Sequence, residues 1–279
     1  MPKVKLLIFL VLAAVVSCAV VLLGRASQPT YDGYTLTHWL QENWLGGPES
    51  DRALRSIGTN ALPYLIKGIE NPYNPLPGPM TPAWKIENPT VPRDQLIVRA
   101  FKTLGPVAEP LIPELDKLTQ DKDPFVAQNA LNALVLMGPK GFPSVIAAAR
   151  NPNYPYRGRA TFLLGEAHFL GMGAEPVAVE LAKMMDDPAI NQEAAHAIGE
   201  LRIRPDICVP ALAKVIQNTN TNPNLRAMAT TSLLWFEDKA IPALPALTNA
   251  LADPDIEVRR GATNVIWSIH NEELKLKRH

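Results

Sequence analysis

The sequence predicts an all-α protein, a solenoid of stacked helix pairs, and the first sign is a proline that recurs at a nearly fixed interval. The recurring prolines are Pro63, Pro110, Pro143, Pro176, Pro210 and Pro242. The intervals between successive members are 47, 33, 33, 34 and 32 residues. Such a period is typical of repeat arrays in which neighbouring units bury each other's apolar faces. The second sign is an Asn-Pro or Asp-Pro pair in every unit. The proline of this pair lies nine to fourteen positions after the recurring proline of the same unit.

Each recurring proline is predicted to open the first helix of its unit. Proline suits the first helical position, because its missing N–H would have no partner there and its fixed φ already fits a helix. Leu, Ala, Val and Ile then follow at three- and four-residue spacing, which is the helical period. The Asx-Pro pair ends this helix, because the residue before a proline is pushed out of the α region.

A second helix, rich in alanine, is predicted after each turn. The predicted spans are 95–104, 125–137, 156–164, 191–198, 225–236 and 256–269. Small side chains on a packing face let helices approach closely. Four glycines each stand five positions before the next recurring proline, and we expect them to be left-handed helix caps: Gly58, Gly105, Gly138 and Gly171. Pro205 and Glu237 occupy that place in the other two units.

The last full unit resembles a HEAT repeat, in particular the short HEAT-like type also found in bilin lyases. That family opens its first helix with Pro, has Asp in the turn, and begins its second helix with Val-Arg-x-x-Ala. Here Asp253, Val258, Arg259 and Ala262 fill those places. The resemblance covers residues 51–270 and implies a right-handed superhelix of the armadillo/HEAT type, in a bacterial protein that is anchored to the membrane or exported.

Two looser copies of the motif stand at residues 97–100 and 225–227. In the HEAT family, the turn Asp and the second-helix Arg usually bond within or between neighbouring repeats. The resemblance therefore implies structural roles for Arg99, Arg226 and Arg259.

The first interval, from Pro63 to Pro110, is longer than all the others, and the surplus lies in a proline-rich insertion, residues 71–92. The insertion contains seven prolines, so neither a helix nor a strand can run through it. Tyr73 and Trp84 give the insertion apolar surface to bury. Two interpretations stay open, a lid over the first repeats or a loop that binds a partner through Tyr73 and Trp84.

An uncharged apolar segment, Leu6–Leu23, lies near the N-terminus. A helix of this length is just able to cross a bilayer, at about 1.5 Å per residue against a core of roughly 30 Å. Lys3 and Lys5 precede it, so the positive-inside rule keeps the N-terminus in the cytoplasm and places the repeat array outside, in the periplasm. Three fates stay open: a retained single-pass anchor, secretion after cleavage behind Ala26, or lipidation of Cys18.

The chain is therefore expected to have four parts. These are a signal anchor or signal peptide at 1–26, an N-terminal capping segment at 27–50, the repeat array at 51–270, and a polar tail at 271–279. Trp39 and Trp44 of the capping segment are expected to cover the open end of the array. Cys208, the only cysteine of the array, is expected to be buried between Ile207 and Val209.

Composition and motifs favour a scaffold over an enzyme or a nucleic-acid-binding protein. Lys and Arg together number 27, and Asp and Glu together also number 27, whereas a nucleic-acid surface needs an excess of basic charge. The sequence contains no His-Glu-x-x-His and no Cys-x-x-Cys motif. Glu193 and His196 share a helical face, as in di-iron bundles, but such sites need further pairs on facing helices. We expect no cofactor and no metal.

The sequence thus predicts a membrane-anchored, extracytoplasmic scaffold that binds a protein partner of unknown identity. Second helices line the concave surface of HEAT arrays, and six side chains there are candidate contacts: Asn129, Asn132, Arg159, Glu193, His196 and Arg260. Two alternatives stay open, an enzyme of the bilin-lyase-like class and an envelope structural protein without a specific ligand.

Overall fold

The computed structural model describes residues 28–44, 46–72, 93–170 and 173–276. A short antiparallel hairpin comes first, with β1 at Thr30–Tyr31 and β2 at Tyr34–Thr35. The helices that follow are α1 Leu36–Trp44, α2 Pro48–Ile57, α3 Leu62–Glu70, α4 Arg93–Leu104, α5 Ile112–Leu118, α6 Pro124–Leu136, α7 Phe142–Arg150, α8 Arg157–Gly165, α9 Glu175–Met184, α10 Asn191–Leu201, α11 Pro205–Gln217, α12 Pro223–Leu234, α13 Leu244–Ala250 and α14 Ile256–Leu276. The apolar span 6–23, Ala26, Tyr73, Trp84 and Gly171 lie outside the described residues.

From α3 onward the helices form two layers. The first helices are α3, α5, α7, α9, α11 and α13, and each packs against the second helix of its own unit. The second helices are α4, α6, α8, α10, α12 and α14, and each packs against the second helix of the next unit. The fold is therefore the all-α solenoid of stacked helix pairs that the proline interval predicts.

Small residues let the second helices approach one another closely. A Cβ atom added to Gly165 of α8 would lie 2.8 Å from the Cα atom of Ala197 on α10. A Cβ atom on Gly199 would lie 2.9 Å from Oγ of Ser232 on α12. The Ser232 hydroxyl itself donates a buried 2.7 Å hydrogen bond to the Ala195 carbonyl. The predicted role of small residues in this layer is confirmed, with glycine at the tightest contacts.

Half of the recurring prolines lie in the first turn of a first helix, one residue later than the predicted first position. Three are the second residue of a first helix: Pro63, Pro143 and Pro176. The prediction is wrong for Pro110 and Pro242, which lie in the 3-10 helices Gly105–Leu111 and Glu237–Ala243. It is also wrong for Pro210, the sixth residue of α11.

In the units of Pro110, Pro210 and Pro242, a different proline occupies the first turn of the first helix. These prolines are Pro113 in α5, Pro205 in α11 and Pro245 in α13. A proline upstream of such a helix fits into a 3-10 turn, where its missing N–H breaks no α-helical ladder. The helix boundary therefore does not follow the regular proline interval in these units.

Three of the four predicted cap glycines have a positive φ, although Gly58, with a ψ of −131°, lies outside the left-handed helical region. Gly58, Gly105 and Gly138 have φ values of 57°, 51° and 70°. Glu237 occupies the equivalent place before α13 and has a φ of 53°. A residue with a Cβ atom thus adopts a conformation that glycine reaches without steric cost.

A buried ion pair joins the last two units. The Arg226 guanidinium on α12 donates to both oxygens of Asp253, from Nε at 2.9 Å and from Nη2 at 2.8 Å. The two side chains are only 3% and 2% exposed, and Arg226 also donates to the Thr219 carbonyl at 3.2 Å. This contact holds the pKa of Asp253 below its usual value, mainly through the hydrogen bonds from Arg226.

The other arginines of the motif differ in their contacts. Arg259 donates to the Asp253 carbonyl at 2.7 Å and to the Pro254 carbonyl at 2.9 Å, so it holds the turn before α14. The structural roles implied for Arg226 and Arg259 are confirmed, whereas Arg99 is exposed on α4.

The N-terminal end is covered by α1, which packs against α2 and α4. Trp39 is buried, and its indole N–H donates to the Tyr31 carbonyl at 3.0 Å; the Trp44 side chain lies outside the described residues. Helix α2 runs across the predicted boundary between residues 50 and 51. Helix α14 likewise continues beyond residue 270, past the predicted start of the polar tail. Cys208 is fully buried as predicted, and burial raises the pKa of its thiol to about 12.

We predict that Glu237→Gly stabilises the protein by about 1 kcal/mol, because glycine removes the steric cost of a left-handed residue. Urea unfolding measures the change. Gly138→Ala is the reverse control: a Cβ there meets no atom within 4 Å, so its expected loss of stability is purely conformational. An unchanged or lower stability of Glu237→Gly would contradict the prediction.

We predict that Asp253→Asn destabilises the protein by about 3–5 kcal/mol, because it leaves the buried Arg226 charge unpaired. Asp186→Asn is the matched control. It breaks the exposed pair with Lys214, whose side chains are 72% and 73% exposed, and should cost under about 1 kcal/mol.

The ion pair also predicts a pH dependence. Because the folded pKa of Asp253 is lowered, its contribution is complete above the ordinary carboxyl value, about 3.9, and is lost as pH falls through the lower folded pKa. Wild-type unfolding should show this acid-dependent component and Asp253→Asn should lack it. Equal pH profiles for the two proteins would refute this assignment.

Candidate functional site

A stripe of half-buried side chains runs along α8 and just beyond its end. Arg159, Phe162 and Glu166 are spaced three and four residues apart, so they lie on one face. Glu166 is the first residue of the 3-10 helix Glu166–Leu170 that follows α8. The stripe therefore places a cation, an aromatic ring and a carboxylate in line.

A second stripe on α10 faces the first. Glu193, His196 and Glu200 have the same spacing and are also half-buried. The His196 ring stacks on the Phe162 ring, with centroids 4.9 Å apart and planes inclined by 27°. The close approach of α8 and α10 thus brings together two stripes from successive units of the array. We name these six residues the central cluster: Arg159, Phe162, Glu166, Glu193, His196 and Glu200.

Arg159 occupies the edge of the central cluster nearest α6. Its Nη2 atom donates to Oδ1 of Asn132 at 3.4 Å, and its guanidinium carbon lies 5.4 Å from the Phe162 ring centroid. Nε of Arg159 and Nδ1 of His196 are buried and have no hydrogen-bond partner among the described residues. Two buried nitrogen atoms of the cluster therefore make no hydrogen bond within the described residues.

The carboxylates of the cluster form no close ion pair in the part of the chain that the structure describes. No salt bridge within the described residues involves Glu166, Glu193 or Glu200. Burial raises the pKa of the Glu166 carboxyl, and the charges of Arg159 and His168 oppose that rise only in part. The nearby Glu200 carboxylate raises this pKa further.

The structure brings together four of the six predicted contact residues. Asn132, Arg159, Glu193 and His196 meet at the α6–α8–α10 surface. The prediction that Asn129 is exposed is wrong, because it is only 5% exposed. It lies on the face of α6 that also carries the buried Val126 and Ala133, and its Nδ2 atom has no hydrogen-bond partner in the part of the chain that the structure describes.

Arg260 lies apart from the central cluster, on α14. It is exposed and pairs with Glu257 one turn earlier. Both residues line a groove of about 150 Å³ between α12 and α14, together with Thr231 and Asn264. Helix α12 stands between this groove and α10.

Sequence reasoning missed Phe162, Glu166 and Glu200. A signal was present, because each lies three, four or seven positions from a predicted contact on the same helix or its continuation. What the sequence could not supply was the register between α8 and α10. That register stacks Phe162 on His196.

The described residues contain neither a metal-binding cluster nor a membrane-spanning helix. Within the described ranges, no group of three or more His, Cys, Asp and Glu side chains is arranged to hold a metal ion. Among the same residues, no helix combines the length and apolar character needed to cross a bilayer.

Comparison with known proteins supports the repeat class. The family model described as HEAT repeats matches residues 175–267, which run from α9 into α14. This match confirms the HEAT resemblance for that part of the chain. No curated protein matches the chain significantly.

Two solved structures are also similar to the chain. An engineered protein from the Northeast Structural Genomics Consortium is 16% identical, with 84% of this chain and 96% of that chain covered and a TM-score of 0.40. A designed armadillo repeat protein is 15% identical, with 75% of this chain and 99% of that chain covered and a TM-score of 0.39.

Proposed function

We propose that this protein is a scaffold that binds a protein partner on the surface of its second helices. The observation that carries the proposal is the central cluster. It combines half-buried charges without salt-bridge partners among the described residues and a stacked aromatic pair, on the layer that lines the inner face of such arrays. Half-buried side chains lose less hydration on binding than fully solvated side chains do. Their contacts with a partner therefore contribute more to the affinity.

The proposed role is non-catalytic. Cys208, the one cysteine of the described residues, is fully buried and its thiol pKa is raised to about 12, so it does not supply a thiolate at neutral pH. His196 is stacked on Phe162, and its neighbours Glu193 and Glu200 lie one turn away on the same helix. These contacts favour recognition over nucleophilic chemistry.

We further propose that residues 6–23 hold the protein at the membrane as a single-pass anchor, with the array on the periplasmic side. The support comes from the sequence, in which this uncharged apolar segment follows Lys3 and Lys5. A scaffold fixed at a surface meets its partner at a high effective concentration, so a modest affinity suffices.

Site-specific photocrosslinking tests the binding surface. A photoreactive residue at Gln192, exposed on α10, should give a discrete protein adduct in native membranes. The matched control is Gln217, exposed at the end of first helix α11, which should give none. Equal labelling from the two positions, or no adduct from Gln192, would count against the proposal.

Mass spectrometry of the native N-terminus tests the anchor. The expected result is a chain that retains residues 6–23 and stays in the membrane after carbonate extraction. A first residue of Ser27 would show a cleaved signal peptide, and a lipidated Cys18 would show a lipoprotein. Either finding would overturn the single-pass anchor.

A further inference from the structure

The second-helix surface is strongly charged at the central cluster. Three carboxylates, those of Glu166, Glu193 and Glu200, share this surface with one guanidinium, that of Arg159. With neutral imidazoles the cluster has a net charge of −2, because three negative charges meet one positive charge. The whole chain is neutral, so this surface is acidic locally rather than as a consequence of composition.

The charges are not distributed evenly over the cluster. Arg159 lies at the α6 edge, engaged with Asn132 and with the face of Phe162. Glu193 and Glu200 lie on α10, one turn to either side of His196. Two of the three carboxylates therefore belong to α10, whereas the one guanidinium belongs to α8.

An aromatic platform lies between these two carboxylates. The stacked rings of Phe162 and His196 are half-buried, and His196 lies one turn from each of Glu193 and Glu200 along α10. Aromatic faces attract lysine and arginine side chains, and the attraction grows when water is excluded. Carboxylates placed around such a platform bind the charged head group while the rings contact the apolar stem.

Burial strengthens the preference for a cationic ligand. The pKa of the Glu166 carboxyl is raised chiefly by burial, so its ionised form is poorly solvated in the free protein. A cation that enters the cluster stabilises this ionised form.

We propose that the central cluster binds a lysine or arginine side chain from a basic segment of the protein partner. This inference rests on the proposed function and adds the chemistry of the partner. The head group lies between Glu193 and Glu200 over the Phe162–His196 platform. Arg159 excludes the cation from the α6 edge and so fixes where the basic side chain enters.

The proposal makes binding sensitive to pH and salt. The titratable groups that face the bound cation are His196, Glu193 and Glu200 on α10, together with Glu166 and His168 beyond α8. Protonation of Glu166, whose pKa is raised chiefly by burial, makes the cluster less negative, so affinity should fall as the solution becomes acidic. Added salt should weaken binding as well, because the carboxylates are only partly buried.

Selection from a random dodecapeptide display library on the immobilised full chain in neutral detergent tests the proposal. The enriched peptides should carry a lysine or arginine at a recurrent position. Replacing that residue by glutamine in the synthetic peptide should weaken binding about tenfold. The double variant Glu193→Gln/Glu200→Gln should lose a similar factor. The double variant Glu49→Gln/Glu70→Gln, at exposed positions of α2 and α3, should bind like the wild type.

The remaining outcomes distinguish failure of this inference from failure of the proposed function. Enriched peptides without a basic residue, or equal affinity for Glu193→Gln/Glu200→Gln, would overturn the inference and leave the proposed function standing. Failure to enrich any peptide would count against the proposed function itself. Affinity of the wild type that does not change with salt and pH would also overturn the inference, and this measurement needs no variant to fold.

Discussion

The close approach of the second helices is the constraint on which the rest of the structure depends. Gly165 and Gly199 leave no room for a Cβ atom against α10 and α12, so the helices pack almost backbone to backbone. Such contacts fix the register of neighbouring helices as well as their distance, because a shift by a single position would place a side chain where only hydrogen fits. The first helices complete the units behind this layer.

The same register determines what the inner surface presents. It aligns Phe162 with His196 and sets two polar stripes side by side, so that charges distant in sequence share one desolvated area. Glu166 shows the electrostatic result, since burial raises its carboxyl pKa against the opposing effect of Arg159. Polar groups positioned by such packing need little further ordering when a complementary charge approaches.

The fold was predictable because proline, Asx-Pro turns and apolar spacing act locally, within one or two helical turns. The exact helix boundaries were less predictable. The proline interval predicts that Pro210 opens α11, whereas Pro205 opens it. The candidate surface was predictable only in part. Asn132, Arg159, Glu193 and His196 follow from helix order, but the burial of Asn129 and the Phe162–His196 stack depend on packing between units, which no local pattern encodes.

The Arg226–Asp253 ion pair has a consequence for how the array comes apart. In a linear repeat protein each unit contacts only its neighbours, and a terminal unit frays first unless its interface is strong. The pair locks the second helix of one unit to the turn of the next, with both charges out of water. Detaching the last unit would break both hydrogen bonds of this pair together with the packing of α12 against α14, so the last unit is coupled to the unit before it. The C-terminal end of the solenoid thus resists unzipping.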